Sequence, residues 1–439
     1  MITAVSKITD LLRKCWGVAG AGIISSNLAR NMKGDTVVFN PTVPGKNVYA
    51  LFGFVGINDY GVILRNLEND AMTLINDIAV VLHNEVYRWA LGESGQCNKN
   101  LGAAFLMVYR IGDFEEVRKK NDEAKKVIFS SQNDLQSSIQ GGKPKRLSLE
   151  DELNSIHLAS LPGINAFGDR AVLGLLKSFA GMNREESFKV WENDYRLSFG
   201  VGSFKVSLSF GMDAGWAVEG AVGSGHKIDA TYLSPHVNMA SRMMSACKQY
   251  GVVILLSQAV EELLSKECRS KLRHLDTVYV KGSKAAQRVY TYDARSKGID
   301  FFLNKRSDEQ ADKEALRYSP QIWDKDQDLL EMRSHVSKEF LTTYEHGLTQ
   351  YLMGNWKDAV IKLREANETM IKDIVESGRV EVVNATKNKI LDSKTTDEDA
   401  IYKREEFGDG ASQTLISYIE NRNCTAPETW HKVRELTSK

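Results

Sequence analysis

The side chains of this chain that could do chemistry are few, and they sit at the ends of apolar elements. In NKNLGAAFLMV (98–108) a polar turn and Gly102 lead into a strand that is apolar at every position from Ala103 onward. A strand start beside such a turn is a common place for a functional side chain. Here alanine fills it twice, at Ala103 and Ala104. Lys99, in the same turn, brings an ammonium that can only donate hydrogen bonds; taken alone, it reads as a solvated cation. In VNMASR, Asn238 and Arg242 stand four residues apart and share one helix face; taken alone, they are surface neighbours. The five cysteines (Cys15, Cys97, Cys247, Cys268 and Cys424) show no metal-ligand spacing. An odd, scattered set suits a reducing compartment and argues against a disulfide framework. With 57 basic and 57 acidic residues the formal charge is zero, so nothing asks for nucleic acid or an anionic membrane.

The elements that position these groups can be read from periodicity. A chain of 439 residues exceeds what one hydrophobic core usually supports, which predicts two domains. KNVYALFGFVGI (46–57) is a strand, DAMTLINDIAVVLHNEVYRWA (70–90) a long amphipathic helix, and KNLGAAFLMVYRI a second strand. That order suggests an α/β or α+β sandwich. Residues 112–165 read as a mobile polar insertion. RAVLGLLKSFAGMN resumes a helix, and FKVSLSFGMDAGWAVEGAVG supplies two strands broken by glycines. Gly215, Gly220 and Gly223 there mark hairpin geometry and close backbone approach. VNMASRMMSACKQYG is a helix stopped by Gly251, VVILLS a strand, and SQAVEELLSKE a helix capped by Ser257. DTVYVKGSKAAQRVYTYD is a hairpin that closes the domain near residue 295.

Both flanks differ from this core. Ile2, Val5, Ile8, Leu11, Leu12 and Cys15 recur at helical spacing, predicting an amphipathic helix that packs on its own domain or forms a dimer stalk. Its scattered charges exclude a signal peptide. No run of about 18 apolar residues predicts a transmembrane helix, so a cytoplasmic protein is expected. Residues 296–439 read as helical. Tyr344, Gly347, Tyr351, Gly354, Trp356 and Ala359 give a pattern that resembles a single tetratricopeptide-like (TPR-like) helix pair, joined near Gly354–Asn355. Residues 380–400 are polar and loose, and the tail carries a short helix and Trp430.

Taken in order, several segments resemble the class III adenylate/guanylate cyclase catalytic-domain family, protist or algal type. LFGFVGINDYGVI stands at the first strand and phosphate-facing turn, NKNLGAAFLMV at the second-strand hairpin, and GWAVEGAVGS at the glycine-bearing hairpin. VNMASRM stands at the active-site helix and VYVKGSKAAQRVYTY at the closing hairpin; DGASQTLISYIENRN is similar to the tail of some protist and algal cyclases. The resemblance covers roughly 45–295. It implies an α+β, ferredoxin-like cyclase homology domain of βαββαβ type, preceded by a helix and linker (1–44). A small all-α region (296–439) with the TPR-like pair would follow.

The family joins the 3′-hydroxyl of ATP or GTP to its own α-phosphate, using two divalent cations held by two aspartates. In this chain the resemblance puts those aspartate positions on Gly56 and Ala103, so both metal ligands are missing. Asp59 lies three residues beyond Gly56, but shifting it into place would break the match of Phe54, Ile57 and Tyr60. Gly61 also replaces the family's usual threonine. The resemblance places the purine-reading lysine on Lys99 and the purine-facing Asp or Thr on Asp229 or Thr231. It places the ribose and transition-state residues on Asn238 and Arg242, and the triphosphate lysine on Lys281.

Family sites form at head-to-tail dimer interfaces, one subunit giving the aspartates and the other the remaining groups. The resemblance therefore implies a chain that binds no metal alone, Mg²⁺ or Mn²⁺ entering only if a partner supplies aspartates. Two readings follow. In one, the chain is a pseudocyclase serving as a structural or regulatory subunit, for instance in an axoneme of a cilium or flagellum. In the other, it is the metal-free half of a heterodimeric adenylate cyclase, with ATP as the nucleotide that Lys99 suggests.

Overall fold

The computed structural model describes residues 44–91, 94–132, 149–197, 204–224, 227–280, 285–295, 301, 303–376 and 406–436. The helix expected over residues 2–15, the stretch 380–400 and Lys281 lie outside the described residues. Strand β1 (Lys46–Ile57) is buried at every position from Val48 on. A strand without apolar–polar alternation must be covered on both faces. Helices α1 (Tyr60–Leu67) and α2 (Ala71–Trp89) follow, then the edge strand β2 (Gly95–Asn100) and β3 (Ala104–Asp113). Helices α3 (Phe114–Gln132) and α4 (Ile164–Arg184) lead to β4 (Leu208–Gly223), which folds back as β5 (Ile228–Leu233). Helix α5 (Pro235–Tyr250) then connects to β6 (Ile254–Ser257), β7 (Leu272–Val280) and β8 (Gln287–Tyr292).

β1 pairs antiparallel with β3 on one side and β4 on the other. The nine-stranded sheet runs β2-β3-β1-β4-β6-β8-β7-β9, where β9 is Arg434–Leu436, with β5 paired to β4 alone. The first four strands, with α2 and α4 as the connecting helices, reproduce the expected βαββαβ arrangement. Leu51, Val55, Phe105 and Met212 face α2 and α4 in one large core. On the opposite face Val48, Ala50, Phe52 and Phe54 join Leu106, Val108, Tyr232 and Ala240 beneath α5. Ser234 caps α5 through the His236 amide, and Gly251 ends it in the left-handed region at φ 62°.

Several expectations need correction. The segment around Gly215 is one continuous 16-residue strand rather than two. Gly215 tolerates no side chain because the His236 ring occupies that space, 2.2 Å from where a Cβ would stand. The stretch 112–165 is not all polar insertion: α3 buries Val117 and Asn121, and Leu153 and Leu161 join the large core. SQAVEELLSKE breaks into two one-turn helices, because Ser257 and then Ser265 each start a new cap.

The C-terminal region is not all-α. After α6 (Asp308–Leu316), α7 (Lys338–Met353), α8 (Trp356–Glu376) and α9 (Gly410–Glu420), strand β9 (Arg434–Leu436) joins the sheet beside β7. Nor does it have a core to itself. Phe340, Tyr344, Leu363 and Leu415 pack with Met243, Tyr250, Leu275 and Val289 in one cluster. Gly347 lets α8 approach α7, since a Cβ there would come within 2.9 Å of Leu363.

A buried guanidinium fixes this junction. Arg273 of β7 is 6% exposed and donates to Asp293 at 2.7 Å and to Asp409 at 2.9 Å. Its cationic carbon lies 4.4 Å from the Tyr344 ring centre, a cation–π contact. Burial opposes ionisation of Asp409, but the Arg273 charge and the Ser412 hydrogen bonds outweigh it and hold the carboxyl below its ordinary range. Arg273→Ala would leave two buried carboxylates uncompensated and is expected to cost about 3–5 kcal/mol, read from urea unfolding.

His274 yields a second prediction. Burial, reinforced by the Arg288 charge, lowers its pKa to about 4 despite its bond to the Asp276 carbonyl. Between pH 6.5, the ordinary value, and about 4, the unfolded chain takes up a proton that the folded chain refuses. Stability should therefore fall as pH drops through that window. His274→Gln should show a shallower loss in unfolding curves recorded across it; an unchanged slope would refute the assignment.

Candidate functional site

The candidate site lies on the sheet face beneath α5, where the ends of β1, β2, β3 and β5 meet the helix. The β1 and β3 ends adjoin: the Ile57 amide donates to the Ala103 carbonyl at 2.9 Å, and Gly56 is paired with Ala104. The two positions at which carboxylates are expected are thus brought together. Gly102 makes the turn before them at φ +75°, a conformation glycine adopts without strain. Beyond Gly56, the Asn58 amide group donates to Ser207 and accepts from Ser209, fixing the strand end against β4. Asp59 is exposed at φ 54°, and its backbone carbonyl accepts the first amides of α1.

The space over Gly56 is occupied. A Cβ there would stand 2.6 Å from Met244 Sδ and 3.3 Å from its Cε. Met244 comes from α5, whose backbone crosses β4 so closely that a Cβ on Gly211 would lie 2.0 Å from the Met244 nitrogen. Such a separation requires glycine. Sequence reasoning missed Met244; the one available signal was Gly211, an unexplained glycine inside a strand.

The other expected residues divide. Lys99 Nζ donates to Thr231 Oγ1 at 3.4 Å, joining β2 to β5. Asp229, two residues earlier on β5, is exposed and pairs with Lys227 at 3.3 Å. Asn238 is exposed and Arg242 half-buried on α5, and neither side chain has a hydrogen-bond or ion-pair partner among the described residues. Beside Lys99, burial pushes the Cys97 thiol up to about 12, which leaves it a weak nucleophile. Burial, with help from Glu219, likewise raises the Tyr232 phenol, whose O–H donates to Glu219 at 2.9 Å.

A polar relay underlies the helix start. The buried Asp213 carboxylate accepts from His236 Nδ1 at 2.8 Å and from the Ser257 hydroxyl. Serine and histidine both turn to the carboxylate rather than to each other, so this is no nucleophile–base pair; it ties α5 and β6 to β4. Magnesium and manganese favour carboxylate oxygens, and neither Gly56 nor Ala103 has a side-chain oxygen to offer. Among the described residues no group of three or more His, Cys, Asp or Glu side chains is placed to hold a metal ion. The residues at the expected positions do not fit a divalent cation.

Comparison with known proteins finds a match over part of the chain. Residues 173–294 match the family model of the adenylate and guanylate cyclase catalytic domain. The chain carries a class III cyclase homology domain. Gly56, Lys99 and Ala103 fall outside the matched stretch. An adenylate cyclase of Anabaena cylindrica is 37% identical over 95 residues, 21% of this chain and 19% of that protein. Adenylate cyclase 1 of Rhizobium meliloti is 33% identical over 108 residues, 24% of this chain and 15% of that protein. These matches span less than a fifth of either relative. A bacterial light-regulated adenylyl cyclase structure aligns with 71% of this chain and 66% of its own, at 16% identity and TM-score 0.43. No helix among the described residues is long and apolar enough to cross a membrane.

Restoring a carboxylate at the first position tests the packing directly. Gly56→Asp is expected to destabilise by about 1–3 kcal/mol, the cost of overfilling a packed site. In a Met244→Ala background that cost should shrink, since the thioether is what it meets. Additive losses in thermal unfolding would contradict this arrangement.

Proposed function

We propose that this protein is a cyclase-homology subunit that turns over no nucleotide by itself and serves a structural or regulatory role in a larger assembly. The observation that carries the reading is the Met244 thioether seated on Gly56, where the resemblance expects a metal-binding aspartate. The position lacks its ligand, and the space such a ligand needs is filled by packing. The helix pair α7–α8, read as a lone TPR-like hairpin, fits this role: it packs onto the sheet and does not form an array. The axoneme of a cilium or flagellum is one such assembly, proposed from the resemblance alone.

A second reading rests on a different observation. The Lys99–Thr231 bond aligns the two groups that the resemblance assigns to a purine, and Asn238 and Arg242 on α5 have no side-chain partner among the described residues. These side chains would serve ATP in trans if an aspartate-bearing cyclase-domain partner supplied the cations. Asp229, paired with Lys227, is the weaker choice beside Thr231, and Lys281 would complete the set.

The purified protein is expected to form no cyclic AMP or cyclic GMP from ATP or GTP with Mg²⁺ or Mn²⁺; robust turnover would sink the first reading. Gly56→Asp/Ala103→Asp/Met244→Ala separates the two. If the remaining half-site is intact, this variant should gain activity, and a further Lys99→Ala change should weaken it. Continued silence in a folded triple variant would count against the heterodimer.

A further inference from the structure

Helix α2 buries one face in the core and on the other exposes a stripe of apolar side chains interleaved with Asn76, His83 and Asn84. Met72, Val80 and Tyr87 are 64%, 58% and 62% exposed, and Leu91 just past the helix is 48% exposed. Their spacing keeps them on one side of the helix. At the Leu91 end the stripe runs into a cleft of about 550 Å³ between α2 and α6, where Leu316 is 69% exposed. Arg88 forms the floor, with its side chain 9% exposed and bonded to Glu85, Asp308 and Asp312. Asp308 and Asp312 themselves stand on the rim, 87% and 60% exposed. The cleft is therefore apolar along one wall, with exposed carboxylates on the other.

We propose that residues 2–15 of this same chain dock on the α2 stripe as an amphipathic helix. The sequence ITAVSKITDLLRKC supplies apolar anchors at Ile2, Val5, Ile8, Leu12 and Cys15, the helix-in-groove spacing. A helix of 14 residues would run about 21 Å, and Met72 to Tyr87 spans about 22 Å at 1.5 Å per residue. Lys7, Arg13 and Lys14 against Asp10 give the segment a basic balance, complementary to the Asp308/Asp312 rim. The point of re-entry agrees. β1 begins at Lys46, its residue Val48 is paired with Asp113, and β2 begins at Gly95 opposite Tyr109. The start of β1 thus lies at the same end of the sheet as the α2 C-terminus and the cleft. Extended, residues 17–43 could reach about 90 Å at about 3.3 Å per residue, roughly three times the length of α2 at 1.5 Å per residue.

The proposal does not depend on whether the site beneath α5 binds nucleotide. Limited trypsin digestion of the full chain, with cleavage after Lys7, Arg13 and Lys14 followed by mass spectrometry, tests it. Val80→Asp/Tyr87→Asp alters only exposed residues. It is expected to speed those cleavages by about tenfold or more, because cleavage follows the undocked population. Ile8→Asp/Leu12→Asp, on the other side of the contact, should do the same without lowering the melting temperature of the domain. Equal cleavage rates in wild type and both variants would overturn the proposal. So would a concentration-dependent dimer, seen by light scattering, that Val80→Asp/Tyr87→Asp dissolves, since a second copy would then be the occupant.

Discussion

Helix α5 lies on the sheet at a separation that only glycine allows, and the candidate site follows from that approach. A Cβ on Gly211 would collide with the α5 backbone itself, and no side-chain rotation could relieve the clash. Gly56 faces the next turn of contact, where the obstruction is the Met244 thioether, a flexible group that packs into irregular gaps. One glycine is thus demanded by backbone geometry and the other by a side chain. The first is a property of the fold; the second is a property of this sequence. With α5 set so low, the β1–β3 strand ends are covered by apolar atoms. Asn238 and Arg242 are among the polar groups that the helix presents outward.

The opposite end of the sheet is held by charge. Arg273 and Arg434 each bring a guanidinium into the interior against carboxylates, Asp293 and Asp409 for the first and Asp276 for the second. Tyr250 links the second group to α5, accepting from Arg434 at 2.8 Å and donating to Asp276 at 2.9 Å. Buried ion pairs add little net stability, but breaking one is costly because the partner remains charged. Such pairs work as register locks: β9 can join β7, and α9 can start at Asp409, only in the arrangement that satisfies both arginines. The helical segments after residue 295 are therefore fastened to the cyclase homology domain by geometry-specific bonds as well as by shared apolar area.

Much of this architecture was legible in the sequence, for reasons that particular elements make plain. β1 reads as a strand because its strand formers run unbroken by charge from Val48 to Ile57, and the α5 stop follows from Gly251. The continuous β4 was not legible, because glycine in a strand signals a break and a close approach equally well. At Gly215 the structure chooses the approach, with the His236 ring as neighbour. β9 was invisible for another reason: a three-residue strand pairs through backbone atoms, and its Arg434 is recognisable only once Asp276 is seen opposite. For the site, it is the resemblance that puts the missing carboxylates at Gly56 and Ala103. Met244 could not be read, because nothing in MASRMMSAC says which methionine turns toward the sheet.

The polar half of the site weighs differently in the structure than in the sequence. In the sequence, a lysine where the resemblance expects a purine-reading group argues for a nucleotide ligand. In the structure, Lys99 already has an acceptor within the chain, so its retention has a second explanation: joining the edge strand β2 to β5. The bond is long for an N–H···O contact, at 3.4 Å, and an ammonium carries three donors. Thr231 therefore leaves most of the Lys99 donor capacity unused. The arginine gives the sharper distinction. Arg242 is half-buried on α5 without a partner among the described residues, and a guanidinium held away from full solvation gains most from an anion brought to it. If nucleotide binding survives here, Arg242 rather than Lys99 is the residue that the fold alone does not explain.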